Sequence, residues 1–116
     1  MTVMKLNRCD NDVEITLKGH AEYSLTGNDI VCSSISVLCY TLLNYLSIME
    51  DKGKCKVEAS DTPGDFKINI NIKDDETWNI VEGFFLTGML TINEEYPKNL
   101  RIEVVSDEVG RTDIKS

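Results

Sequence analysis

Apolar and polar residues alternate over the second stretch of the chain. Val13, Ile15 and Leu17 take turns with Glu14, Thr16 and Lys18, the period of a half-buried strand. The spacing predicts strands over Val3–Cys9 and Asp12–Gly19 joined by the polar turn Asp10-Asn11, with Gly19 freeing the backbone at the end. From Asp29 to about Met49 the period changes. Val31, Ile35, Leu38, Leu42, Tyr45 and Met49 recur at three- and four-residue steps, which predicts one apolar stripe on a helix. Period two returns over Lys54–Ser60, with Cys55, Val57 and Ala59 on one side. Asp61-Thr62-Pro63-Gly64 reads as a turn. Phe66, Ile68, Ile70 and Ile72 then alternate with polar residues as the clearest strand. A second helix is expected from about Glu76 to Glu94, with Trp78, Val81, Phe85, Gly88 and Ile92 in line. Tyr96-Pro97 stops it, and Leu100–Val105 supplies a last strand.

The predicted order is β-β-α-β-β-α-β. Strands apolar on one face imply an α+β fold, a two-layer α/β sandwich whose largely antiparallel sheet carries both helices on one face. The repeated β-β-α order hints at a duplication, although the side chains do not repeat. At 116 residues the chain is expected to be a single domain, 1–116, with a frayed polar tail over 107–116.

Composition narrows the function. The net charge of −8 and the lack of any basic run argue against a nucleic-acid surface. No run approaches about 18 consecutive apolar residues, so no membrane partner is expected. The start, TVMKLNRCD, lacks the pattern of a signal peptide. A reducing, cytoplasmic setting follows, in which Cys9, Cys32, Cys39 and Cys55 are free thiols, three of them expected as buried small hydrophobes. No pair has C-x-x-C spacing and only one histidine exists, so no metal site is expected.

Candidate chemistry gathers in GHAEYSLTGNDIVCSS, residues 19–34, which hold that histidine. Asp29 fits a helix N-cap, which places Cys32 in the first turn, where unpaired amides favour a thiolate. Ser36 falls one turn on, within reach of the sulfur. His20 leaves a strand end and begins a polar segment long enough to fold back over the helix start. Gly19, Ala21 and Gly27 belong to that expected mobile loop. An imidazole there could take the thiol proton and return it to a leaving amine, and first-turn amides could receive an oxyanion. The same residues also suit a surface histidine, a plain cap and a core cysteine.

Residues 19–36, GHAEYSLTGNDIVCSSIS, resemble the signature of the Prp family of ribosomal-processing cysteine proteases. That signature is a Gly-His-Ala, a short glycine-containing loop, then Asp-Ile-Val-Cys and a small-residue helix turn. The later G-M-L and Tyr96-Pro97 also resemble the family pattern, whereas Ser33-Ser34 stand where it more often has alanines. The resemblance implies Cys32 as nucleophile and His20 as general base and acid, with Asp29 and Ser36 in support. It further implies a cofactor-free homodimer that removes the N-terminal extension of ribosomal large-subunit protein twenty-seven. The alternatives are a non-catalytic ribosome-assembly or protein-binding module and a thiol redox protein.

Overall fold

A computed structural model describes residues 1–19, 26–62, 64–106 and 111–115; of 26–29, 106 and 111–115 it describes the backbone alone. The elements are β1 (Thr2–Cys9), β2 (Asp12–Lys18), α1 (Thr26–Asp51), β3 (Cys55–Thr62), β4 (Asp65–Ile72), α2 (Asp75–Glu95), β5 (Leu100–Ser106) and β6 (Arg111–Lys115). They form a six-stranded sheet in the order β3-β4-β2-β1-β5-β6. Among the described residues, only β1 and β5 pair in parallel, and the other pairings are antiparallel. The α+β reading and the largely antiparallel sheet are therefore borne out.

Local chemistry explains the turns. Cys9 pairs with Asp12, so Asp10-Asn11 is a two-residue hairpin loop, and Asp10 adopts φ 54°, as tight turns between twisted strands require. Thr62 pairs with Asp65, which shortens the expected four-residue turn to a two-residue loop ending in Gly64 at φ 75°.

One core joins both helices to one sheet face. Met4 and Leu6 of β1, Val13, Ile15 and Leu17 of β2, and Ile68, Ile70 and Ile72 of β4 all point into it. Above them lie Val31, Ile35, Cys39, Leu42, Leu46 and Met49 of α1, and Trp78, Phe85 and Met89 of α2. Truncating a fully buried member such as Leu46 or Ile15 would cost about 2–5 kcal/mol. At Gly88 the helices approach so closely that an added Cβ would lie 2.7 Å from Leu38 Cδ2. Buried Asn93 donates from Nδ2 to the Leu100 carbonyl at 2.7 Å and ties the end of α2 to β5.

Several expectations are corrected. The α1 stripe runs through Cys39 and Leu46, at mixed four- and three-residue steps that together follow the 3.6-residue turn, while Tyr45 is exposed. Ala59 is exposed, on the edge strand β3. Residues 111–115 are not a frayed tail: they pair with β5 from Ser106↔Arg111 to Ile102↔Lys115, which satisfies backbone groups that an edge would leave open. Of the cysteines only Cys39 and Cys55 are buried, and Cys9 is exposed. Ile30–Asp51 is also long and apolar enough, by length and composition, to cross a membrane. Its buried stripe packs on the sheet instead.

Candidate active site

Because β2 and β4 are antiparallel neighbours, the end of β2 lies beside the start of β4, with Lys18 opposite Asp65. Gly19, which follows β2, therefore lies beside the tip of the β3–β4 hairpin. Gly19 makes the exit possible. Its φ is +78°, and a Cβ there would lie 2.6 Å from the Met1 carbonyl oxygen. Its N–H donates to the Gly64 carbonyl at 3.0 Å, which fixes the strand end to the hairpin tip.

Between that tip and α1 lies a cavity of about 150 Å³. Cys32, Ser36 and Tyr40 line it from α1, spaced four residues apart and so in line along the helix. Asp61, Thr62, Gly64, Asp65 and Phe66 line it from the hairpin, with Leu17 and Gly19 at the β2 end. The Cys32 thiol is part-exposed, and Ser36 is exposed below it. The structure thus brings Gly19, Cys32 and Ser36 to one groove.

Other expected members differ. The helix begins at Thr26, three residues before the expected cap, because Thr26, Gly27 and Asn28 are themselves helical. Asp29 is therefore inside α1 and not its N-cap, and Gly27 belongs to the helix and not to a loop. Cys32 consequently stands on the second turn, about one turn beyond the free amides of the helix start. The expected first-turn oxyanion site is displaced accordingly. His20, Ala21 and the Asp29 side chain lie outside the described residues.

Sequence reasoning missed the opposite wall. The Tyr40 hydroxyl donates to Asp61 Oδ2, and its ring meets Phe66 edge-on, with centroids 5.7 Å apart and planes at 67°. The bond to Asp61 raises the Tyr40 pKa above its ordinary value. Burial, aided by Asp61, pushes the Cys39 thiol up to about 12 and leaves it inert beneath the groove. The four-residue spacing of Cys32, Ser36 and Tyr40 was legible, but a hairpin partner 21 residues away was not. Among the described residues, no group of three or more His, Cys, Asp or Glu is placed to hold a metal ion.

The family model described as cysteine protease Prp matches residues 1–101. The chain belongs to the Prp family of cysteine proteases. The ribosomal processing cysteine protease Prp of Staphylococcus aureus strain Mu50 is 28% identical over 90 residues, covering 77% of this chain and 83% of that protein. A crystal structure of the S. aureus Prp with a substrate peptide has the same fold, with a TM-score of 0.72 at 21% identity. The match covers 90% of this chain and 99% of that one. A Streptococcus mutans protein shares it at a TM-score of 0.70 and 23% identity, over 92% of this chain and 96% of that one. As a Prp-family cysteine protease, this chain needs a reactive thiol with access to solvent. Buried Cys39 and Cys55 do not offer one.

Proposed function

We propose that this Prp-family protein is a cytoplasmic endopeptidase that removes the N-terminal extension of ribosomal large-subunit protein twenty-seven. Cys32 is the nucleophile and His20 the general base and acid. The observation that carries this reading is the position of Cys32, part-exposed on the wall of a groove between α1 and the β3–β4 hairpin. The imidazole takes the thiol proton, and the thiolate attacks the scissile carbonyl carbon. The proton then passes to the departing amine, and water hydrolyses the acyl-thioester. The processing role of the S. aureus relative supports the choice of substrate, and the net charge of −8 suits a basic ribosomal protein.

The active form in this reading is a homodimer. Val37, Ile80 and Phe84 are 67%, 70% and 79% exposed, and an apolar groove between α1 and α2 runs past Tyr45, Ile80 and Phe84. A second copy would remove that apolar surface from water. Light scattering of the purified protein tests this.

The experiment for the activity mixes the protein with N-terminally extended ribosomal protein twenty-seven and weighs the products by mass spectrometry. A single cut that releases the extension is expected. Cys32→Ala and His20→Ala should each slow it by at least about a thousandfold, with unchanged circular dichroism. A Cys32→Ala protein that cuts at the wild-type rate ends this reading.

A further inference from the structure

The hairpin that forms the outer wall of the groove has a strand neighbour on one side only, where β4 pairs with β2 as far as Asp65. It includes edge strand β3, and Glu58–Thr62 are all exposed. Its root is fixed where Glu50 Oε2 accepts from the Val57 N–H at 2.9 Å. Beyond that root, α1 grips the tip through Tyr40, by the hydrogen bond to Asp61 and the edge contact with Phe66. Gly64 on the same tip accepts from Gly19, the residue just before His20.

We propose that Tyr40 and Asp61 form a positioning latch for substrate. It sets the spacing between the hairpin tip and the helix face that carries Cys32, and so the fit of a peptide in the groove. The inference rests on the reading of Cys32 as nucleophile. Tyr40 stands two four-residue steps beyond Cys32, so the latch fixes the far end of the groove and leaves the sulfur untouched. Both partners are exposed, and an exposed charge-assisted bond adds little to global stability. Its effect falls instead on the exposed hairpin tip, which is otherwise held by strand pairing and the Gly19–Gly64 bond. Loss of the latch should therefore weaken peptide binding more than it slows chemistry on bound peptide.

The test uses Tyr40→Phe, which keeps the ring and removes the hydroxyl, together with Asp61→Ala and Asp61→Asn. Kinetics are measured on a synthetic peptide spanning the extension of ribosomal protein twenty-seven, and hydrogen exchange is followed in the free proteins. Tyr40→Phe and Asp61→Ala should each raise KM about threefold to tenfold, with kcat changed less than about twofold. The double variant should match either single one, because both remove the same bond. Asp61→Asn retains an acceptor and should restore KM. Amides of residues 61–66 should exchange faster in Tyr40→Phe. An unchanged KM in a wild-type background that cleaves, additive single effects, or unchanged exchange would each overturn the latch. A wild-type protein that does not cleave, while exchange in Tyr40→Phe still accelerates, would instead reject the assigned substrate and leave the hairpin restraint standing.

Discussion

The two β-β-α units of this fold begin their helices at opposite ends of the sheet, and the two ends are finished differently. At the start of α2, polar groups are satisfied by partners inside the chain. Asp74 caps the helix by accepting from the Thr77 N–H at 3.1 Å, and it also binds Lys54 Nζ at 3.0 Å. Arg8 reaches Asp75 at 3.0 Å, and Trp78 is fully buried just behind. At the α1 end the hairpin tip stands off from the helix. The gap is lined by a part-exposed thiol, an exposed serine and a latch of two exposed side chains. One scaffold thus builds a closed end that stabilises and an open end that can admit a ligand. The element order of the two units is the same, but seven residues separate β2 from α1 whereas two separate β4 from α2.

Thiol chemistry should show the contrast most strongly, because Cys32 and Cys39 share one helix seven residues apart. Burial raises Cys39 from 9.0 to about 12, which leaves about a thousandfold less thiolate at neutral pH than an ordinary thiol has. With iodoacetamide followed by peptide mapping, Cys32 and exposed Cys9 should react while Cys39 lags by at least about a hundredfold. Equal rates for Cys32 and Cys39 would mean that α1 does not separate an open face from a closed one. The same shift has a stability consequence. The folded pKa is the higher one, so the contribution of the neutral thiol is intact below about 9 and is lost as pH rises toward about 12.

Gly19→Ala probes the open end through the backbone. An alanine at φ +78° is strained, and its Cβ would press on the Met1 carbonyl at 2.6 Å. About 1–3 kcal/mol of destabilisation is expected, read as a fall in Tm of roughly 5–15 °C. Cleavage should drop as well, since Gly19 joins the hairpin tip to the segment entering His20. A variant with wild-type Tm and activity would show that this exit is not constrained.

Much of the fold was legible because period two and period 3.6 are written directly into the apolar pattern. The Val13-Ile15-Leu17 and Ile68-Ile70-Ile72 strands are buried as read, and both helices lie within a few residues of their expected bounds. What escaped was set by tertiary context. Tyr45 and Leu46 are neighbours that both suit an apolar stripe, and packing decides which faces the sheet. Arg111–Lys115 is too polar to announce a strand and becomes one because β5 offers a free edge. In the site, Cys32 and Ser36 could be read from helical spacing. The Asp61 partner of Tyr40 could not, because strand pairing brings the hairpin tip there. Asp29 was misassigned because an aspartate before an apolar run looks like a cap, whereas the helix had already begun at Thr26.

The smallest effect is expected at the closed end. The Thr77 amide, and then Lys54, hold the Asp74 carboxyl below its ordinary value of 3.8. A folded pKa below the unfolded one means that the carboxylate stabilises the protein above about 4, and that this contribution is lost as pH falls through the depressed value. Asp74→Ala should therefore lower Tm modestly at pH 7 and by less at about pH 3, which lies below the ordinary value of 3.8, so that part of the carboxylate's contribution is already lost. Cleavage at pH 7 should stay within about twofold of wild type at a temperature well below Tm, because distant and unshared interactions act independently. Thermal melts at the two pH values, paired with peptide cleavage, separate the outcomes. A loss of activity beyond what unfolding explains would show that the capped start of α2 is coupled to the groove. The two ends would then have to be read as one device, with α2 transmitting the state of its cap to the helix that carries Cys32.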